Sequence, residues 1–250
     1  MSVLLPPLIA IGLIIAMTIA WDRVIRTGRS GWADTFWSAS VGASGVAAAL
    51  VPLEPGEPSG RALLLAALVA LWSLRLAIHI GRRTLNGGDD PRYAELRRKW
   101  GESRYPGQLF LFLQIQAAAA FVLAMSVFAA AHNPAPFGIG DIAGALIAIV
   151  AIGGEAIADA QLRAFKADPA NEGRVCDRGL WSLSRHPNYF FEFLFWVSLL
   201  PIGFNPDYLF GWLVITRAPF LTATIIPVLV GAAWAAATGR AQPFPWLIFA

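Results

Sequence analysis

Residues 155–196 read EAIADAQLRAFKADPANEGRVCDRGLWSLSRHPNYFFEFLFW, and they set charged and polar side chains into an otherwise apolar chain. Ionisable side chains at membrane depth are costly unless they face a cavity or a partner, so they mark candidate sites. One set recurs at helical spacing and shares one helix face: Glu155, Asp159, Arg163 and Lys166. A second set recurs at i, i+4 and i+8: Asn188, Glu192 and Trp196. The basic residues between them are Arg174, Arg178, Arg185 and His186. Two polar helix faces joined by a basic loop could hold an anionic cofactor at a membrane surface.

The rest of the chain has the composition of a membrane protein. Of its 250 residues, 57% are hydrophobic and 14% are charged, whereas soluble domains carry about 25% charged residues. Apolar runs of about 20 residues span a bilayer as helices, and we place them near 3–21, 34–53, 61–80, 108–131, 138–158, 188–206 and 208–236. We therefore predict an all-α integral membrane protein with seven transmembrane helices in one bundle, and a single domain over residues 1–250.

The basic residues lie in alternate loops, after the first, third and fifth predicted spans. Because basic loops stay in the cytoplasm, the N-terminus is expected outside and the C-terminus inside. The first span has no basic segment before it and no cleavage site, so we expect it to be retained. Basic residues beside spans do not form a nucleic-acid-binding face, so we expect membrane lipid and no nucleic acid as a partner.

Common cofactor and metal motifs are absent from the sequence. No GxGxxG follows a strand and no GxxxxGKS/T occurs, which excludes the soluble nucleotide-binding folds. The three histidines are far apart, and Cys176 is the only cysteine. We therefore expect no metal and no disulfide. A nucleotide would have to be bound by helix faces and loops.

The start of the sixth predicted span suits an anionic group and a carboxamide. Pro187 favours the first turn of a helix, and the positive end of that helix would lie beside Arg185 and His186. Asn188 offers both a donor and an acceptor, as a nicotinamide carboxamide does, and Glu192 could accept from the same amide. Alternatively, Arg185 and His186 anchor the interface, and Glu192 forms an ion pair with another helix.

A second cluster lies at residues 71–101, where Arg82 and Arg83 either bind phosphate or only set topology. This segment contains the turn signal NGGDDP and then an amphipathic stretch from Tyr93 to Trp100. Asp34 is the only acid of the second span. It either caps that helix or has a catalytic role.

These segments resemble the bacterial, DUF1295-type branch of the steroid 5-alpha-reductase family. The pattern ADxQLxxFKxxPxNxGxVxxxGLWxxSRHPNYFFE matches it over 158–192. LWxLRLxxHxxRR…DDPRY over 71–93 and the pair Asp34–Trp37 match more loosely. The resemblance implies a seven-helix fold in the bacterial inner membrane, with NADPH bound at the cytoplasmic side. It also implies reduction of the carbon–carbon double bond of a lipophilic enone, typically a 3-oxo-Δ4 steroid.

The resemblance also implies roles for individual residues. Asp34, or more weakly His79, would contact the substrate ketone and stabilise the enolate, since the family's helix-three tyrosine has no obvious equivalent before Arg92. The residues implied or inferred to bind the cofactor are Asp159, Arg163, Lys166, Arg174, Arg185, His186, Asn188, Glu192, Trp196, Arg82 and Arg83.

The tail after Tyr208 departs from the family pattern, because it contains no acid and no further tyrosine. Two other functions therefore stay open. Isoprenylcysteine carboxyl methyltransferases, which use S-adenosylmethionine, also have an RHPxY-like segment before a helix. A non-catalytic family member that binds lipid is the third alternative.

Overall fold

A computed structural model describes residues 4–53, 56–87 and 90–203 of the protein. The described residues form helices and no strand, which confirms the all-α prediction. The helices are α1 (Leu5–Thr27), α2 (Gly31–Leu50), α3 (Gly60–Leu85), α4 (Pro91–Trp100), α5 (Tyr105–Ala131), α6 (Ile139–Ala167), α7 (Pro187–Val197) and α8 (Leu199–Gly203), with short 3₁₀ helices at Pro169–Asn171 and Gly179–Ser182.

Four of these helices, α1, α3, α5 and α6, are long and apolar enough to cross a membrane. Large hydrophobic side chains are exposed along them, among them Leu8, Leu74, Ile115 and Leu146. Exposed apolar surface of this extent is typical of a lipid-facing protein. The described helices are therefore consistent with a membrane protein, and seven spans are not confirmed. The seventh predicted span, 208–236, and the unusual tail lie outside the described residues.

The helices run further than the apolar segments that predicted them. The first, third and fifth spans were expected to end at 21, 80 and 158, but α1 continues to Thr27, α3 to Leu85 and α6 to Ala167. Helical hydrogen bonds do not require apolar side chains, so a helix can extend out of the bilayer with polar residues on its surface. For α1 the end is set by Gly28, which has a φ of 68° and donates its N–H to Val24.

The helix expected over 188–206 is broken at Ser198, and α7 and α8 lie on either side of the break. The Ser198 hydroxyl donates to the carbonyl of Phe195, and its N–H is shared between the carbonyls of Leu194 and Phe195. A serine hydroxyl that bonds back to the preceding turn bends a helix. The described part of the predicted helix, which ends at Gly203, is therefore divided into two segments at this residue, although Ser198 keeps helical dihedral angles (φ −62°, ψ −21°).

The contacts divide the chain into two compact units, Met1–Phe137 and Gly138–Ala250. In the first unit α2 packs closely on α3, because a β-carbon at Gly42 would overlap the Ser73 hydroxyl. Ser73 in turn donates to the carbonyl of Ser38 at 2.8 Å. Small residues thus allow the two backbones to approach. The single-domain description stays a prediction.

At one end of this unit the buried side chain of Arg61 on α3 holds the segment after α5. Its guanidinium donates to the carbonyls of Asn133, Ala135 and Pro136 at 2.7, 2.8 and 3.0 Å. The sequence predicts a span that begins at residue 61, and in the structure the Arg61 side chain satisfies three backbone carbonyls.

In the second unit α7 and α8 pack against α6 through glycines. A β-carbon at Gly154 would overlap the ring of Phe191. One at Gly144 would lie 2.6 Å from the carbonyl oxygen of Ser198. The two faces predicted from residues 155–196 therefore belong to neighbouring helices.

Candidate functional site

Asp34 is the fourth residue of α2, and its carboxylate accepts two hydrogen bonds from α4. The Tyr93 hydroxyl donates to Oδ1 at 2.8 Å, and Arg92 Nη2 donates to Oδ2 at 3.0 Å. The helix N-cap is Ser30, not Asp34. The alternative that Asp34 caps α2 is therefore wrong, and its side chain belongs to a polar cluster instead.

The short helix α4 brings this tyrosine to Asp34. Asp90 is its N-cap, with a side chain that accepts from the Arg92 N–H, and Pro91 occupies the first turn. The Tyr93 side chain is 3% exposed, and its ring packs edge-on against Phe112 of α5 at 6.3 Å. The predicted amphipathic stretch is confirmed as a helix, with its tyrosine turned inward.

The environment keeps the Tyr93 hydroxyl protonated. Burial, reinforced by the Asp34 carboxylate, raises the pKa of Tyr93 well above its ordinary value. The Gln116 side chain on α5 hydrogen-bonds the same hydroxyl. Tyr93 is therefore a neutral hydrogen-bond donor across the physiological pH range.

Arg92 is bound by a second acid as well as by Asp34. Its Nε donates to Asp90 Oδ1 at 3.0 Å and its Nη2 to Asp90 Oδ2 at 2.8 Å. Arg83 Nη2 lies 3.6 Å from the same carboxylate. Burial favours the neutral acid, but the hydrogen bonds from Arg92 outweigh it and hold the pKa of Asp90 below its ordinary value. Among the residues that the structure describes, the cluster thus contains two carboxylates and two guanidinium groups.

The other residues predicted in this unit lie on α3. His79 is half-buried, and Arg82 and Arg83 are exposed in the last turn. Tyr93 and Arg92 both donate hydrogen bonds to Asp34, so the tyrosine that contacts this acid belongs to α4 rather than to α3. A phosphate-binding role for Arg82 and Arg83 stays a prediction.

In the second unit α7 begins at Pro187, as the sequence predicts, with His186 as its N-cap. Asn188 and Glu192 follow one turn apart, and both are half-buried. The Asn188 Oδ1 atom is buried and has no hydrogen-bond partner among the described residues. A buried acceptor of this kind suits a ligand that supplies an N–H group.

The loop before α7 is held against α6 by side-chain hydrogen bonds. Gln161 Oε1 accepts from the N–H of Leu180 at 2.9 Å, and Trp181 Nε1 donates to the carbonyl of Ala158 at 2.9 Å. Nearer the end of α6, Asn171 donates to the carbonyl of Phe165 at 3.0 Å. The 3₁₀ helices and their bonds therefore fix the basic loop on the C-terminal third of α6.

This loop presents its cations to the solvent. The exposed side chains of the predicted set are Arg174 and Arg185 in the loop, and Arg163 and Lys166 near the end of α6. The His186 and Tyr189 rings stack with centroids 5.3 Å apart and an interplanar angle of 6°. Burial and the neighbouring charge of Arg185 lower the pKa of His186, so its ring is largely neutral near pH 7. An anionic group would meet exposed cations beside a neutral aromatic pair.

The acids of α6 are buried while its cations are exposed. Glu155 is 3% exposed and Asp159 is 6% exposed, one helical turn apart. Trp196 is also buried, and its ring packs edge-on against Phe195 at 5.3 Å. The polar face predicted for α6 thus has buried acids and exposed cations. The Trp196 ring of α7 packs on a neighbouring ring, and its role at the cofactor stays a prediction.

The sequence did not reveal Tyr93, Arg92 and Asp90 as partners of Asp34. Asp34 and Tyr93 are 59 residues apart in the chain, so their contact depends on the tertiary fold. The available signal was the string DDPRY, in which an acid before proline predicts a helix N-cap three residues before the tyrosine.

Comparison with known families agrees with the resemblance drawn from the motifs. Residues 20–235 match the sequence model of a family described as "Protein of unknown function (DUF1295)". The chain belongs to this family. The family is associated with steroid 5-alpha-reductase-like membrane proteins. No curated protein and no solved structure matches the chain.

Proposed function

We propose that the protein is a membrane-embedded, NADPH-dependent reductase of the carbon–carbon double bond of an enone, and that its substrate is a 3-oxo-Δ4 steroid or a similar lipid. The observation that carries this proposal is the contact between the Tyr93 hydroxyl and the Asp34 carboxylate at 2.8 Å. The family's association with steroid-reductase-like membrane proteins supports it.

A tyrosine–aspartate pair suits the chemistry of an enone. When the double bond is reduced at its β-carbon, negative charge develops on the ketone oxygen. A neutral donor held in a water-poor site stabilises that charge, as in other oxyanion sites. Tyr93 is such a donor, because it is buried and stays protonated. The apolar helices around it would admit a lipophilic substrate from the bilayer.

The second unit supplies residues that fit a nicotinamide cofactor. When bound, NADPH supplies the hydride for the β-carbon of the enone. Asn188 Oδ1, which has no hydrogen-bond partner within the described part of the chain, would accept from the carboxamide, and Glu192 would accept from the same amide. The exposed cations of the loop, Arg174 and Arg185 among them, would bind the phosphates. We place this side in the cytoplasm of a bacterial inner-membrane protein.

The methyltransferase alternative fits the first unit less well. An isoprenylcysteine substrate presents a carboxylate, but the guanidinium groups of the cluster already lie against Asp34 and Asp90, whereas a neutral steroid ketone needs only the Tyr93 donor. No comparable observation favours a lipid-binding protein without turnover.

Thermal unfolding of the detergent-purified protein tests the cofactor directly. A ligand that binds only the folded state adds about 2.7 kcal/mol at 100 times its Kd. We expect stabilisation by NADPH and none by S-adenosylmethionine. We also expect the gain to shrink in Asn188→Ala and Glu192→Ala. Stabilisation by S-adenosylmethionine alone would refute the reductase in favour of the methyltransferase. If neither ligand raises the unfolding temperature, only the lipid-binding function remains.

A further inference from the structure

Asp90 and Arg92 form a fixed pair beside the proposed ketone site. Asp90 accepts from the backbone N–H of Arg92 at 2.9 Å and from its Nε and Nη2 atoms at 3.0 and 2.8 Å. The Arg92 side chain is 59% exposed, yet these three bonds hold it to a carboxylate that is only 10% exposed. Its Nη2 atom therefore reaches Asp34 from a defined position.

The hydrogen bonds of Asp34 favour one protonation form. Tyr93 donates to Oδ1 and Arg92 donates to Oδ2, so each oxygen accepts a bond. A carboxylate accepts at both oxygens, and the positive charge of the Arg92 guanidinium beside Oδ2 favours this ionised form. The groups that act on Asp34 are Arg92, Tyr93, Asp90 and Arg83, and Gln116 reaches it through Tyr93. The charges of Arg83 and Arg92 balance those of Asp34 and Asp90.

We propose that Arg92, which Asp90 holds in place, is a positioning residue that keeps Asp34 a carboxylate, so that Tyr93 rather than Asp34 donates the hydrogen bond to the ligand's oxygen. The claim about Asp34 stands alone, while the claim about the ketone rests on the proposed reductase. A hydroxyl proton rotates about its C–O bond, so Tyr93 could turn its proton from Asp34 to a ketone. Asp34 would then keep the hydrogen bond from Arg92. This arrangement replaces the protonated Asp34 expected from the family resemblance.

Infrared spectroscopy of the full-length protein in detergent tests the claim about Asp34 without any assay of activity. A protonated carboxyl group has a carbonyl band that a carboxylate lacks, and subtraction of the Asp34→Asn spectrum assigns it. We expect no such band from Asp34 at pH 7 in the wild type or in Arg92→Lys. We expect one in Arg92→Gln and in Arg92→Met, because removing an opposite charge favours the neutral acid.

The matched control is Arg97→Gln, which removes the same charge from α4. Arg97 binds Glu102 at 2.6 Å and is half-exposed, so its loss should produce no Asp34 band. A band already present in the wild type would overturn the proposal. So would the absence of a band in both Arg92→Gln and Arg92→Met, and the second variant decides the question if the first does not fold.

The pH dependence of enone reduction tests the second half of the proposal. In Arg92→Gln we expect kcat to fall by about tenfold or more near pH 7 and to recover at higher pH, where Asp34 ionises. In Arg92→Lys, which keeps the positive charge, we expect a kcat close to that of the wild type. A profile that superimposes on that of the wild type would overturn the role of Arg92 in the reaction. If the wild type reduces no enone, the proposed function fails, while the infrared result still decides the state of Asp34.

Discussion

Replacing Tyr93 with phenylalanine removes one hydroxyl from the candidate site and leaves the shape of the ring unchanged. Tyr93 is 3% exposed, and the hydroxyl lies 2.8 Å from Asp34 Oδ1. A hydrogen bond to a charged group contributes about 1.5–3 kcal/mol. We therefore expect the free energy of unfolding to fall by about that amount, while the fold and the packing against Phe112 persist.

The effect on catalysis should exceed the effect on stability if the hydroxyl acts on the transition state. Loss of one donor from an oxyanion site lowers kcat by about 10²–10³. We expect a fall of this size in Tyr93→Phe, with NADPH binding retained. The assays are chemical unfolding in detergent and NADPH consumption with a 3-oxo-Δ4 steroid.

A matched control is Tyr105→Phe, which removes the hydroxyl of another buried tyrosine, at the start of α5. We expect its kcat to equal that of the wild type. A Tyr93→Phe variant that is less stable but fully active would refute the catalytic role of the hydroxyl. Unchanged stability would instead contradict the hydrogen bond to Asp34.

Three further variants test the packing of α2 on α3, the hydrogen bonds of Arg61 and the cofactor site. Gly42→Val should destabilise the protein by about 1–3 kcal/mol or more, because its side chain would overlap Ser73, whereas Gly12→Val, with nothing within 4 Å, should match the wild type in thermal unfolding. Arg61→Met should lower the free energy of unfolding by about 3 kcal/mol, because three carbonyl oxygens would lose their hydrogen-bond donor. An unfolding midpoint equal to that of the wild type would contradict this role of Arg61. Asn188→Ala should weaken NADPH binding by roughly tenfold in calorimetry, and unchanged affinity would remove Asn188 from the cofactor site.

Local signals in the sequence predicted the helices well. Pro187 begins α7, and four of the seven predicted apolar runs, near 3–21, 61–80, 108–131 and 138–158, correspond to the long helices that could span a membrane. The ends of helices were predicted less well, because hydropathy reports where lipid contact ends and not where helical hydrogen bonds end. The break at Ser198 depends on a single hydroxyl, which periodicity does not register.

Side-chain partners were the main gap in the sequence-based account of the site. Asp34 was identified as a candidate, but its partners come from a helix 58 and 59 residues away. The motif match favoured a partner on α3, near His79, whereas the geometry of α4 supplies Tyr93. The burial of Arg61 was missed for the same reason, since a charge next to a span resembles a topology signal until its acceptors are known.

Isotope transfer from the cofactor to the product tests the central claim most directly. The purified protein would be incubated with a 3-oxo-Δ4 steroid and NADPH that carries deuterium at the transferable position of its nicotinamide ring. The reductase proposal predicts a saturated 3-oxo steroid with one deuterium on its former β-carbon, and a much slower reaction in Tyr93→Phe. A product without deuterium, or no reduction of any enone by a protein that NADPH stabilises, would contradict it.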